Sequence, residues 1–372
     1  MRMIAKLLAA AVALAGTAQG QAGTVKKVFV IAMENHNWTQ PSTQTSPQQI
    51  FQNPAAPFIN SLVNGTSGIG DQVAYANAYI SAAVGNHPSE PNYVWAEAGT
   101  NFGINNDDNP YFADCTPNTV QNTDRHLSAF LTKDSKSWRS YQEDTDVNAT
   151  NAVLPVNEWT VPLYSKSGIW SPGVNEYNYS NQYNYAAKHN PMVYFTDTTG
   201  GCDISNTNAM RLHYAPLQQL ALDLANNKVA DYNWITPDQY NDQHTSLSKG
   251  YGQYGNSDPA QIAQGDNFLA RIVPLIMASD AYQDHGVIVL WWDESEGGDD
   301  PSRTMPFIII SKDVHRNANG MPYSNRIRYS LSSFLRTMQE VFDVDPRHGY
   351  WWLGEVVNAT DLSDLFARGL IK

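Results

Sequence analysis

Charge is scarce in this 372-residue chain: 16% of the residues are Asp, Glu, Lys or Arg, and among them 36 acids outnumber 23 bases. The resulting formal charge of −13 argues against nucleic acid as a partner and would be repelled by anionic membrane surfaces. Cysteine is scarcer still, with only Cys115 and Cys202, and no CxxC spacing supports a zinc ribbon or a redox pair. No GxSxG elbow, P-loop or HExxH occurs. Those absences disfavour an α/β-hydrolase esterase, a P-loop nucleotide-fuelled enzyme and a zincin. There is no internal repeat, no low-complexity stretch and no linker rich enough in Pro, Gly or Ser to divide the chain.

The amino-terminal residues read as an address. Arg2 and Lys6 precede an apolar run from Leu7 to Ala15, and small residues follow at Gly16, Ala18, Gly20 and Ala22. This pattern predicts a secretory signal peptide over 1–22, cut between Ala18 and Gly23, and a secreted or periplasmic mature protein. Nine apolar residues are too few to span a bilayer, so no stable membrane anchor is expected. In an oxidising compartment Cys115 and Cys202 could pair; the alternative is two separate buried thiols. The remainder, 23–372, reads as a single domain.

Apolar runs of strand length occur at Val28 to Met33, Met192 to Phe195, Tyr232 to Ile235, Val287 to Trp292 and Phe307 to Ile310. Helical patterns cover Leu127 to Leu131, Leu217 to Asn226, Ala260 to Ala278 and Leu331 to Phe342. Strands this continuously apolar are covered on both sides, and their alternation with helices predicts an α/β fold with a mostly parallel sheet and helices on both faces. The stretch from Asn101 to His189, rich in Asn, Asp, Tyr, Ser and Trp, predicts long loops or a small cap over one sheet edge. The carboxy-terminal "WWLGE" stretch reads as a last packed segment.

Chemistry gathers where the apolar runs stop. "VFVIAM" is followed by Glu34, Asn35 and His36; "DYNWI" by Asp238, Asn241, Asp242 and His244; "GVIVLWW" by Asp293, Glu294, Glu296, Asp299 and Asp300. Ligands of open α/β sheets bind beyond the carboxyl ends of strands, so neighbouring strands would bring these clusters to one crevice. Any one cluster alone could be an ordinary wet loop. Asp293 and Glu294, directly behind buried residues, are costly to desolvate unless a cation compensates. Carboxylate and amide oxygens suit Mg²⁺, Mn²⁺ or Ca²⁺, and Zn²⁺ if a His joins. A fourth piece is "GNHPSEPNYVWAEAGT", in which Ser89 stands where an N-cap is expected and Gly99 can end the helix. The same geometry would serve a nucleophile, because a helix N-terminus favours an alkoxide and a phosphate placed on it.

The ordered motifs "VFVIAMENHNW", "HPSEPNY", "SWRSYQED", "KHNPMVYF", "ITPDQYNDQH", "VIVLWWDESEGGDD" and "PFIIIS" resemble the phosphoesterase family of bacterial acid phosphatases and non-specific phospholipases C. The likeness is greater to the acid phosphatase and phosphatidylinositol-3-phosphatase-like branch, and it runs from about Val25 to Phe342. It implies an alkaline-phosphatase-like fold and metal-dependent hydrolysis of phosphate esters through a phosphoserine. By motif match it implies a divalent metal ion held by Glu34, Asn35, Ser89, Asp293 and Glu294, with Ser89 as nucleophile. Asn35, His87, His189 and His244 would contact substrate, and His244 would protonate the leaving group. His36 is expected to be structural.

Two departures stand out: "NDQH" where Gly often precedes the His, and Asp299 and Asp300 leading into Pro301 where the phospholipase branch has Asp-His. The second favours a phosphomonoester over a bulky phospholipid. The resulting expectation is a secreted phosphomonoesterase acting on a small-molecule phosphate ester. The rivals are a phospholipase C-type phosphodiesterase and, from another class, an exported carbohydrate- or Ca²⁺-binding protein without turnover.

Overall fold

Five strands run parallel and deliver their carboxyl ends to one edge of an eight-stranded sheet. The computed structural model describes residues 24–371, apart from 113, 146–183, 204, 206 and 248. The expected leader therefore lies outside the described residues. The strands are β1 (Lys27–Met33), β2 (Val73–Ala76), β3 (Tyr79–Ile80), β4 (Trp138–Gln142), β5 (Tyr214–Pro216), β6 (Tyr232–Thr236), β7 (Gly286–Trp292), β8 (Phe307–Ser311), β9 (Tyr323–Asn325) and β10 (Tyr329–Ser330). The helices are α1 (Pro57–Asn64), α2 (Ser89–Ala98), α3 (Leu127–Lys133), α4 (Thr196–Thr199), α5 (Gln218–Ala225), α6 (Asp258–Met277), α7 (Asp280–Gln283) and α8 (Leu331–Val341).

The main sheet has the order β5-β4-β6-β1-β7-β8-β2-β9, and β3 pairs with β10 in a separate ribbon. Strands β5, β4, β6, β1 and β7 are parallel, while β8 runs antiparallel to both β7 and β2. The fold is thus α/β with a mostly parallel sheet. Successive side chains of a strand point to opposite faces. Every residue from Val28 to Met33 and from Gly286 to Trp292 is buried, so both faces are covered there. Register sets the level at which the two strands end: Met33 pairs with Trp292, so Glu34 and Asp293 leave the sheet side by side.

Four of the five expected strands are present. The exception is Met192 to Phe195, which forms a single 3₁₀ turn over Pro191–Tyr194 instead. Pro191 presets a turn and supplies no N–H for a ladder, and a four-residue buried run cannot be told from a helical one by periodicity. Correspondingly, β4 lies inside the stretch expected to be loops or a cap. Its residues Ser140 and Gln142 read as polar, yet they are buried, with Ser140 Oγ donating to Asn190 Oδ1 (3.0 Å) and Gln142 Nε2 to Thr236 Oγ1 (3.1 Å). Side-chain hydrogen bonds satisfy this face, so the strand needs no apolar alternation. Cys115 and Cys202 form a disulfide with Cα atoms 5.7 Å apart. In the carboxy-terminal stretch Leu353 and Val356 are buried, but Trp351 is 69% exposed beneath the Arg125 guanidinium, so its packing is partial.

Candidate active site

The end of β1 turns sharply because Asn35 adopts φ +42, a left-handed conformation that Asn tolerates better than most residues. The turn lets Glu34 point inward while the Asn35 amide comes back beside it. One terminal atom of that amide lies 2.7 Å from Glu34 Oε2 and 3.3 Å from Glu294 Oε1. As a nitrogen it donates to both; as an oxygen it completes a cradle for a cation. Asn37, fully buried, staples the two strand ends: its Oδ1 accepts from the Glu296 N–H (2.9 Å) and its Nδ2 donates to the Glu296 carbonyl (2.8 Å).

Ser89 is the first residue of α2, not its N-cap; Pro88 holds that position and no side chain caps the helix. Its hydroxyl is therefore free of the capping role expected of it. Oγ donates to Glu34 Oε2 (3.0 Å) and faces Glu294 Oε1 (3.4 Å). All ten residues of α2 are buried, which makes the helix a fixed mount. Gly99 closes it at φ +66, where a Cβ would stand 2.4 Å from the Leu353 carbonyl. Tyr93, one turn on, donates to Glu34 Oε1 (2.7 Å) and stacks on His189 with ring centroids 5.0 Å apart.

His189 bridges two carboxylates, with Nε2 3.0 Å from Glu34 Oε1 and Nδ1 3.2 Å from Asp242 Oδ2. Burial pulls the imidazole down, but Glu34 and Asp242 more than reverse that and raise it to about 9. Burial pushes Glu34 up; the His189 charge overrides it and holds the carboxyl down to about 2. This pair is ionised. In metal-free protein the His189 contribution is complete below pH 6.5, the ordinary value for His, and is lost as pH rises through about 9, whereas the Glu34 contribution is complete above pH 4.5 and is lost as pH falls through about 2. Melting temperature should accordingly fall across the His189 window in chelated protein. His189→Gln should shrink the fall, and His87 and Glu90, each raised likewise to about 9, and the buried Asp144 and Asp293, pushed well up, add to it; a flat wild-type profile would contradict the assignment.

Asp293 behaves differently. It is fully buried, its Oδ1 receives only a 3.5 Å contact from the Asn35 N–H, and Oδ2 has no hydrogen-bond partner among the described residues. Burial, then repulsion from Glu34 and Glu294, push its carboxyl well above the carboxylate range. Burial raises Glu294 as well, against the opposing pull of His87. A divalent cation would remove this conflict, and Glu34, Asn35, Ser89, Asp293 and Glu294 supply the hard oxygen donors it needs. Glu34, His189 and Asp242 also each offer a ligand atom within 4.8 Å of one another. There the imidazole already faces a carboxylate with each nitrogen, so a metal would have to displace its protons.

His244 is half-buried, its ring centroid 6.0 Å from that of His189, and its backbone N–H donates to Asp242 Oδ1 (2.7 Å). Burial lowers it to about 4. His87 lies on the other side of Glu294, which its Nδ1 contacts closely. His36 is buried, and burial lowers it to about 4, which suits a structural ring. Asp238 and Asn241 turn away: Asp238 accepts from the Tyr240 and Asn241 N–H groups, and Asn241 Nδ2 donates to Glu143. Sequence patterns gave no role to Tyr93, Asn37, Asn92 or Lys188. Lys188 pairs with Asp107 (2.8 Å), which also accepts from the Glu90 N–H at the start of α2 (3.1 Å).

The loop bearing Asp242 and His244 is pressed against α6 at Gly265, where a Cβ would meet Gln243 Cγ at 2.2 Å and the Asn241 carbonyl at 3.0 Å. Gly265→Ala is therefore expected to cost about 1–3 kcal/mol by overpacking and to lower turnover by shifting Asp242. Thermal melts and kinetics of the variant check both.

The model of the Phosphoesterase family matches residues 18–345. The chain belongs to this family. It is 31% identical over 170 residues to an acid phosphatase of Aspergillus fumigatus, covering 44% of this chain and 29% of that protein. It is 25% identical over 368 residues to the phosphatidylinositol-3-phosphatase of Mycobacterium tuberculosis, covering 98% and 91%. The chain spans less than half the length of the curated fungal relatives it matches. Among solved structures it is similar to a protein of the alkaline phosphatase superfamily from Vibrio parahaemolyticus, with a TM-score of 0.48, 10% identity, and coverage of 87% of this chain and 67% of that one.

Proposed function

We propose that this phosphoesterase is an exported, metal-dependent phosphomonoesterase of the acid phosphatase type that works through a phosphoserine at Ser89. The observation that carries the reading is the Ser89 hydroxyl, buried at the first turn of α2 and aimed at Glu34 and Glu294 rather than at its own helix. A bound divalent cation would be held by Glu34, Asn35, Ser89, Asp293 and Glu294; it would supply the positive charge that acidifies the hydroxyl and offsets the phosphate's charge.

The chain's own residues do the rest. Glu34 orients the hydroxyl by accepting its proton in a hydrogen bond, and Tyr93 and His189 hold Glu34 in place. Oγ passes its proton to Glu34 Oε2 as it attacks phosphorus, the P–O bond to the alcohol breaks, and the charge of His189, buried between Glu34 and Asp242, and the positive end of α2 offset at a distance the charge on the equatorial oxygens. His244 gives a proton to the departing alcohol. Its low pKa makes that proton available in acid, and a bound anionic phosphate would raise it. Water then cleaves the phosphoserine.

Export is supported by the leader pattern and by the Cys115–Cys202 disulfide. No helix of the described residues is long and apolar enough to cross a membrane. The deciding assay is a panel of phosphomonoesters, phosphodiesters and phosphoinositides. Release of inorganic phosphate from monoesters is expected; release of diacylglycerol from phospholipid would identify a phospholipase C instead, and binding of sugars without any turnover would identify a lectin-like protein.

A further inference from the structure

His87 lies between two carboxylates of one loop. Its Nδ1 is in close contact with Glu294 Oε2, and its Nε2 lies 3.0 Å from Asp299 Oδ1 and 3.1 Å from Oδ2. Asp299 is itself anchored, with Oδ2 accepting from the Gly85 N–H (2.8 Å) and Oδ1 from Ser295 Oγ (3.1 Å). The loop can return to the chain leading into α2 because Gly297 and Gly298 adopt φ +85 and +128, the second a conformation open almost only to glycine. Asn92 Nδ2 lies 3.4 Å from the same Glu294 oxygen and donates to the Asn86 carbonyl at 2.8 Å.

Glu294 Oε2 is thereby pinned from two sides, which leaves Oε1 as the oxygen facing Ser89 and Asn35. Both nitrogens of His87 are committed to carboxylates, so the ring has no edge left for a phosphoryl oxygen. We infer that His87 is a positioning residue, backed by Asp299, that fixes Glu294 as a cation ligand and does not touch substrate. The inference rests on the cation reading of the site given above. Partners of this kind orient a metal-ligating side chain, and losing one costs about 10–100-fold in metal affinity.

The test is calorimetric titration of Ca²⁺, Mg²⁺, Mn²⁺ and Zn²⁺, one at a time, into the chelator-stripped full chain. Wild type is compared with Asp299→Asn, His87→Gln and the charge-retaining Asp299→Glu. The cation that binds wild type best should lose about 10–100-fold in affinity in the first two variants and recover in part in the third. At saturating cation, kcat for p-nitrophenyl phosphate should fall while KM stays within about twofold. Asp299→Asn is isosteric and keeps an oxygen acceptor for the Gly85 N–H or Ser295 Oγ, so it decides the matter even if His87→Gln does not fold. Unchanged cation affinity with a raised KM would make His87 a substrate contact and overturn the inference. A wild type that binds none of the four cations would overturn both it and the reading on which it rests.

Discussion

Ser89→Ala is expected to lower hydrolysis of p-nitrophenyl phosphate by on the order of 10³-fold or more while leaving the fold intact. The two halves of that expectation come from one geometric fact. Because Pro88 is the N-cap of α2 and the Ser89 hydroxyl caps nothing, removing Oγ leaves the helix terminus as it was. What disappears is the hydrogen bond to Glu34 and the contact with Glu294, worth about 1 kcal/mol to stability. An acid-quenched reaction with labelled substrate should trap phosphate on the wild-type protein and none on the variant. Near wild-type turnover by the variant would rule out Ser89 as nucleophile.

Stripping the protein with a chelator is expected to abolish turnover and to lower its melting temperature, with both restored by a single divalent ion. Glu34, Asp242, Asp293 and Glu294 are all buried, and the described residues facing them supply too few cations. Asp293 is the weakest point, since its Oδ2 has no partner among the described residues and its carboxyl is pushed far up by burial. An ion bound a thousandfold above its Kd would add about 4 kcal/mol of stability. Metal analysis of protein purified without chelator should find an ion whose removal tracks the loss of activity. Full turnover in a strong chelator would defeat the metal-dependent reading.

The strand ends were legible because β1, β6 and β7 are buried on both faces and read as continuous apolar runs. Their parallel pairing then brought Glu34, Asp242 and Asp293 to one edge, as position after an apolar run suggested. Other parts were hidden for physical reasons. Strand β4 is disguised by Ser140 and Gln142, whose polarity is satisfied inside the sheet. Pro191 converts an apolar run into a turn that carries no strand but lies directly after His189 and Asn190. The clasp of His87 by Asp299 depends on two glycine conformations after Glu294, and no residue pattern announces which distant side chain such a loop will meet. Tyr93 reads as a core aromatic on a helix, and it is one; its hydroxyl happens to end at Glu34.

The strand order has a consequence for the life of the molecule. β1 is made first, yet its neighbours in the sheet are β6 and β7, from the second half of the chain. Glu34 therefore waits, without its partners, until Asp293 and Glu294 have been synthesised. Contacts so distant in sequence form late. A nascent or truncated chain that stops before β7 holds Ser89 and Glu34 but lacks Asp293 and Glu294, so on the proposed mechanism every such fragment is expected to be catalytically silent.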